Sequence, residues 1–101
     1  MKKVDYIQLL TDKDRVKIEF AQYRGKILKF VVQYYSLINS RWRTIIRIDN
    51  HHGFPHMHIY HLHKKEFRIQ LDNNDNNNAF TKSKEHIIRN FKKIKENFIF
   101  N

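Results

Sequence analysis

Ile27-Leu28-Lys29-Phe30-Val31-Val32-Gln33-Tyr34-Tyr35-Ser36-Leu37-Ile38-Asn39-Ser40-Arg41-Trp42-Arg43-Thr44-Ile45-Ile46-Arg47-Ile48-Asp49 decides how this chain folds. Its first twelve residues are rich in β-branched and aromatic side chains, which fit a pleated, half-buried surface. Leu28, Phe30, Val32 and Tyr34 fall on one face, and Lys29, Val31, Gln33 and Tyr35 on the other. Asn39-Ser40 then reads as a two-residue hairpin link, and a second strand returns over Arg41 to Asp49. In that strand Trp42, Thr44, Ile46 and Ile48 alternate with Arg41, Arg43, Ile45, Arg47 and Asp49. Alternation predicts the apolar set, Trp42 included, toward a core, with Arg43, Arg47 and Asp49 sharing the opposite face.

Upstream, Val16, Ile18 and Phe20 alternate with Lys17 and Glu19, a half-buried strand ended by the Arg24-Gly25-Lys26 turn. Val4 to Leu10 is a weaker strand before the turn residues Thr11-Asp12-Lys13-Asp14. Downstream, Gly53 and Pro55 mark a turn, and His56 to His63 alternates again, with Met57 and Ile59 inward and His56, His58 and Tyr60 outward. Glu66 to Leu71 supplies a last strand with Phe67, Ile69 and Leu71 inward. Asp72 to Asn78 is a polar loop ending in a helix cap. From Phe80 the period becomes helical: Ile87, Phe91, Ile94 and Phe98 form a stripe among lysines and arginines. The expectation is one α+β domain over residues 1–101, an antiparallel meander of about five strands with a C-terminal amphipathic helix on one face.

Composition bounds the function. The chain has 101 residues, no cysteine and a formal charge of +10. Disulfides, thiolate nucleophiles and cysteine zinc sites are therefore excluded. No stretch approaches the ~20 apolar residues of a membrane span, and the N-terminus lacks a signal-type apolar segment, so a cytoplasmic location is expected. The positive field points to RNA or an acidic protein partner; the plainer reading is a solubilising surface.

Six of the seven histidines lie between His51 and His63. Imidazole exchanges protons near neutral pH and also ligates metals, so this cluster is the candidate site. One reading is metal-independent RNA cleavage. An imidazole among His52, His56 and His58 takes the ribose 2′-hydroxyl proton, a second group protonates the leaving oxygen, Arg47 steadies the phosphate and Asp49 orients a histidine. Arg41, Arg43, Tyr60 and Lys64 would contact the nucleic acid. A second reading makes His52, His56 and His58 ligands of zinc or another divalent metal. A third reading leaves them lining a solvated sheet face of a non-catalytic basic module. The His-hydrophobic-His pairs His56-Met57-His58 and His61-Leu62-His63 also fit rolling-circle nucleases, but those need a tyrosine on a downstream helix, and residues 80–101 contain none.

Phe30-Val31-Val32-Gln33-Tyr34, Arg41 to Asp49 and His52-Gly53-Phe54-Pro55-His56 resemble a family of small prokaryotic, largely archaeal proteins. In that family an Arg-x-Asp strand end is followed by a His-Gly turn, a further histidine and a helix of the Asn-x-x-x-Thr type, here Asn77 to Thr81 and Arg89-Asn90-Phe91. The likeness covers about Gln22 to Phe98. More distantly, Asp49-Asn50, Gly53 and His56-Met57-His58 are similar to TumE-type toxins of toxin–antitoxin modules. That resemblance implies a small toxin held inactive by a helix-turn-helix antitoxin, with RNA as its target.

Overall fold

The computed structural model describes all 101 residues as six strands and one helix. The strands are β1 Lys2–Thr11, β2 Asp14–Tyr23, β3 Lys26–Ile38, β4 Arg41–Asp49, β5 His56–Ile59 and β6 Phe67–Gln70, followed by α1 Asn76–Phe100. Each strand pairs antiparallel with the next, giving a six-stranded meander with α1 laid across one face. The architecture is the α+β arrangement read from the sequence, with one strand more. The weakly patterned N-terminal segment is a full ten-residue strand, β1, held by its ladder to β2.

Turn chemistry explains two of the links. Arg24 and Gly25 have φ of 51° and 77°, and Asn39 and Ser40 have φ of 51° and 66°. Left-handed residues in pairs match the right-handed twist of the strands that they join.

The core lies between sheet and helix. Val16, Ile18, Phe30, Val32, Tyr34, Ile46 and Ile48 meet Ala79, Phe80, Ile87 and Phe98, all buried. Phe80 is wedged between Phe20 and Phe30, with ring centroids 5.0 and 5.6 Å away. The predicted helical stripe faces the sheet, with Ile87 and Phe98 buried and Phe91 and Ile94 partly so, and Ala79 and Phe80 extend it backward.

The asparagine tract is ordered differently from the expected loop. Asp75 caps α1 by accepting from Asn78 N–H, and residues 76–78 are already helical. Asn77 Oδ1 accepts from Ile27 N–H, its Nδ2 donates to the Gly25 carbonyl, and Asn76 Nδ2 donates to the Ile27 carbonyl. These amides tie the start of the helix to the β2–β3 turn.

Two bulges change side-chain parity. Between β2 and β3, Leu28 has no partner, so Ile27 turns into the core and Leu28 is left exposed. Between β3 and β4, Tyr34 pairs with Ile46 but Tyr35 pairs with Thr44, so Ile45 is the extra residue. An inserted residue reverses the facing of every position beyond it. Trp42 and Thr44 therefore lie on the open face, not in the core as alternation predicted: Trp42 is 39% exposed and packs on Tyr35 and Arg15. Arg43 pairs with Ser36, whose side chain is on the helix side, so Arg43 is separated from Arg47 and Asp49.

Beyond Ile59 the expected strand stops. Leu62 turns back so that its N–H donates to the Phe98 carbonyl and its side chain joins the core margin. Phe67 and Ile69 are on the helix side of β6 by register, yet both are exposed because α1 contacts β3 and β4 rather than the sheet edge.

Candidate active site on the open sheet face

The face opposite the helix carries the ionisable groups, and the ladder fixes their order. Arg47 stands opposite His58, and Asp49 opposite His56; His58 in turn faces Arg68 across β5 and β6. Directly opposed residues point to the same side of an antiparallel pair. The expectation that Arg47, Asp49, His56 and His58 share one face therefore holds geometrically.

Asp49 is buried and well satisfied. Its Oδ2 accepts from Arg47 Nε at 2.9 Å, and its Oδ1 accepts from the His51 backbone N–H at 3.1 Å. A carboxylate taken out of water is tolerable when it is paired and hydrogen-bonded in this way. Asn50, next in the chain, is also buried. It accepts from Phe30 N–H and donates to the Leu28 carbonyl, extending the β3–β4 pairing past the last ladder residue by means of a side chain.

His58 stands between two carboxylates. Its Nδ1 is 2.5 Å from Glu66 Oε1, and its Nε2 is 3.4 Å from Asp49 Oδ2. The first is a close hydrogen bond; the second is a longer contact without hydrogen-bond geometry. Glu66, which sequence reasoning placed only at the start of a strand, is thus the group that holds the imidazole, while Asp49 is committed chiefly to Arg47 and the turn. Arg68 Nε lies 3.8 Å from the same Glu66 oxygen.

A cleft of about 330 Å³ opens over these groups, lined by Arg47, Asp49, His51, His52, His58 and Tyr60. His51 and His52 are exposed on the turn before Gly53, whose φ of 88° lets the chain reverse there and whose N–H donates to the Asn50 carbonyl. Tyr60 follows β5 with its N–H on the Ile45 carbonyl. Burial raises its phenol pKa, with the Glu66 carboxylate adding to the rise, so Tyr60 presents an O–H donor at neutral pH.

The other expected site residues lie elsewhere. His56 shares the face, but its Nδ1 bonds the Phe54 carbonyl and the ring does not line the cleft. Arg41 is exposed at the far end of β4, and Lys64 is exposed in the β5–β6 connection. His61 and His63 follow the end of β5 and are likewise outside the cleft. His52, His56 and His58 do not converge as a ligand set, and no group of three or more His, Asp or Glu side chains is placed to hold a metal ion.

A second buried polar cluster lies away from the cleft. Asp14 accepts from Thr11 Oγ1, Tyr34 Oη and Ser36 Oγ at 2.5, 2.6 and 2.7 Å, with Lys95 Nζ 3.7 Å away. Burial alone pushes this carboxyl up, but the three hydroxyl donors and Lys95 outweigh it and hold the pKa below its ordinary value. Tyr34 is driven strongly upward by burial and by the Asp14 carboxylate. The cluster pins the β1–β2 turn to β3.

No helix is long and apolar enough to cross a membrane. No curated protein and no solved structure matches the chain. The family described as Domain of unknown function (DUF7718) matches residues 1–100, and the chain belongs to that family.

Proposed function

We propose that this protein is a metal-independent endoribonuclease of the toxin type, acting in the cytoplasm on single-stranded RNA through the open-face cleft and held in check by an antitoxin partner. The observation that carries the reading is His58, which lines the cleft with Arg47 and is fixed through Nδ1 by Glu66, while its Nε2 has only the 3.4 Å Asp49 contact. An imidazole oriented by a carboxylate through one nitrogen has its other nitrogen poised for proton transfer. Nε2 removes the proton from a ribose 2′-hydroxyl, the freed oxygen attacks phosphorus, and the 5′-oxygen departs with a proton. The products are a 2′,3′-cyclic phosphate and a 5′-hydroxyl end. His52, at the rim of the cleft, is the candidate acid, and Arg47 with the Tyr60 hydroxyl meets the charge gathering on the phosphate.

Entry of the phosphate displaces the loose Asp49 contact at Nε2, which Asp49 tolerates because Arg47 and His51 N–H still bind it. The toxin assignment draws on the likeness at Asp49-Asn50, Gly53 and His56-Met57-His58, together with the formal charge of +10.

The test is incubation of purified protein with single-stranded RNA in EDTA, followed by analysis of product ends. Wild type yields cyclic-phosphate ends and spares a substrate lacking the 2′-hydroxyl at the cleavage site. His58→Ala lowers the rate by about 10²-fold or more without lowering the melting temperature. Glu66→Gln gives a smaller loss. A second reading, a binding module without turnover, is favoured by the carboxylates at both His58 nitrogens; RNA bound tightly but never cut would establish it in place of the first.

A further inference from the structure

The Ile45 bulge turns the only tryptophan outward, and what it meets there is organised. The Arg15 guanidinium carbon lies 4.1 Å from the Trp42 ring centroid, and Tyr35 packs edge-on at 5.8 Å with an interplanar angle of 77°. None of the six ion pairs in the chain involves Arg15, and its Nε is buried without a hydrogen-bond partner. Its cation is committed to the indole. With Trp42 39% exposed, part of the indole surface remains open to solvent.

The position relative to the cleft is fixed by register. Trp42 pairs with Leu37 and Arg15 with Tyr35; two residues before Tyr35 in β3, Gln33 pairs with both Lys17 and Arg47, and Arg47 pairs with His58. The four residues of strand from Gln33 to Leu37 span about 13 Å, with the Arg15–Tyr35 pair halfway. Gln33 Nε2 donates to Thr44 Oγ1 at 2.7 Å between the two places, which holds this stretch of the face rigid. Lys17, Arg47 and Arg68 lie along the same row of the sheet, each beside a carboxylate, Glu19, Asp49 and Glu66 respectively, that a phosphate would displace or share.

We infer that Trp42, backed by Arg15 and Tyr35, is a base-stacking platform that seats one nucleobase of a single-stranded RNA, with the strand continuing from there over Lys17 and Arg47 toward His58. A flat aromatic surface in line with a row of guanidinium and ammonium groups suits an unpaired strand, because every base offers a π-face and every linkage a negative charge. Arginine on the indole keeps that surface electron-poor and positively charged, so a base and its phosphate are accommodated together. The inference rests on the reading of this face as RNA-directed and adds to it a residue for holding the substrate. Trp42 is a binding residue, since it lies outside the cleft that contains the reacting groups.

The experiment is titration of the protein with short single-stranded oligoribonucleotides. In a His58→Ala background that prevents turnover, emission of the only indole is followed for the parent, and anisotropy of a labelled RNA is followed for the parent and for Trp42→Ala and Trp42→Phe. Saturable quenching of Trp42 is expected, with affinity weakened roughly 10-fold or more in Trp42→Ala and by less in Trp42→Phe. The exposed position of Trp42 leaves the fold intact, which circular dichroism of each variant verifies. Unchanged emission on saturation with RNA, or equal affinity in Trp42→Ala, overturns the platform while leaving the ribonuclease reading untouched. Quenching with the expected affinity loss, but no cleavage by wild type in EDTA, upholds the platform and overturns the ribonuclease reading.

Discussion

Asp14 shows how a single residue ties folding to pH. Its carboxyl is held below the ordinary value in the folded chain, whereas the unfolded chain titrates near ~3.9. The folded state therefore binds fewer protons, and the stabilisation from this group is full above the unfolded pKa. It disappears as pH falls through the lower folded value. Asp14→Asn removes that dependence and leaves three hydroxyls with a weaker acceptor. A cost of about 2–4 kcal/mol is expected, read as a lower urea midpoint at pH 7 and a flatter decline of stability below pH 5. Asn50→Ala strips the partners from the buried Phe30 N–H and the partly buried Leu28 carbonyl. Its expected cost is about 1–3 kcal/mol, measurable in the same unfolding series. Glu66 carries the same lesson for the site. Spacing drew attention to Asp49 because it sits two residues from Arg47, whereas the close hold on His58 comes from a residue eight positions downstream that only the β5–β6 pairing brings near. Nothing local in the sequence marks such a partner.

At the scale of the element, alternation was informative wherever the ladder is regular. Val16, Ile18, Phe30, Val32, Ile46 and Ile48 all face the core as their spacing required, and so Arg47, Asp49, His56 and His58 all face away from it. Where a bulge intervenes, period two misleads. Neither Leu28 nor Ile45 announces itself, since both look like ordinary strand residues, and the consequence in each case is an apolar side chain on the unexpected side. The helix boundary was obscured for a different reason: asparagines are poor helix formers, but tertiary hydrogen bonds from Asn76 and Asn77 to the β2–β3 turn offset the poor propensity. Asp75→Ala, which removes the cap, is expected to cost about 0.5–2 kcal/mol. Ile87→Ala, at the centre of the helix–sheet contact, should cost about 2–5 kcal/mol. Thermal melts of the two variants check both, with the second shift the larger.

The whole molecule is a sheet with one covered and one free face. Net charge does not choose between the two sides of the molecule, because α1 exposes Lys82, Arg89, Lys92 and Lys93 on its outer surface. The choice comes from where imidazole, carboxylate, guanidinium and indole are brought together, which is the uncovered face of the sheet. RNA affinity should fall linearly with salt on logarithmic axes, and loss of one phosphate-contacting cation should reduce the slope by about 0.7. Arg68→Ala is expected to do so, whereas Lys92→Ala on the helix is not. The most direct test of the free face as the working surface is an NMR titration of the His58→Ala protein with a short single-stranded RNA. Shifts concentrated at Arg15, Lys17, Tyr35, Trp42, Arg47, Tyr60 and Arg68, with α1 unmoved, are the predicted result; shifts centred on the lysines of α1, with those open-face residues silent, would contradict it.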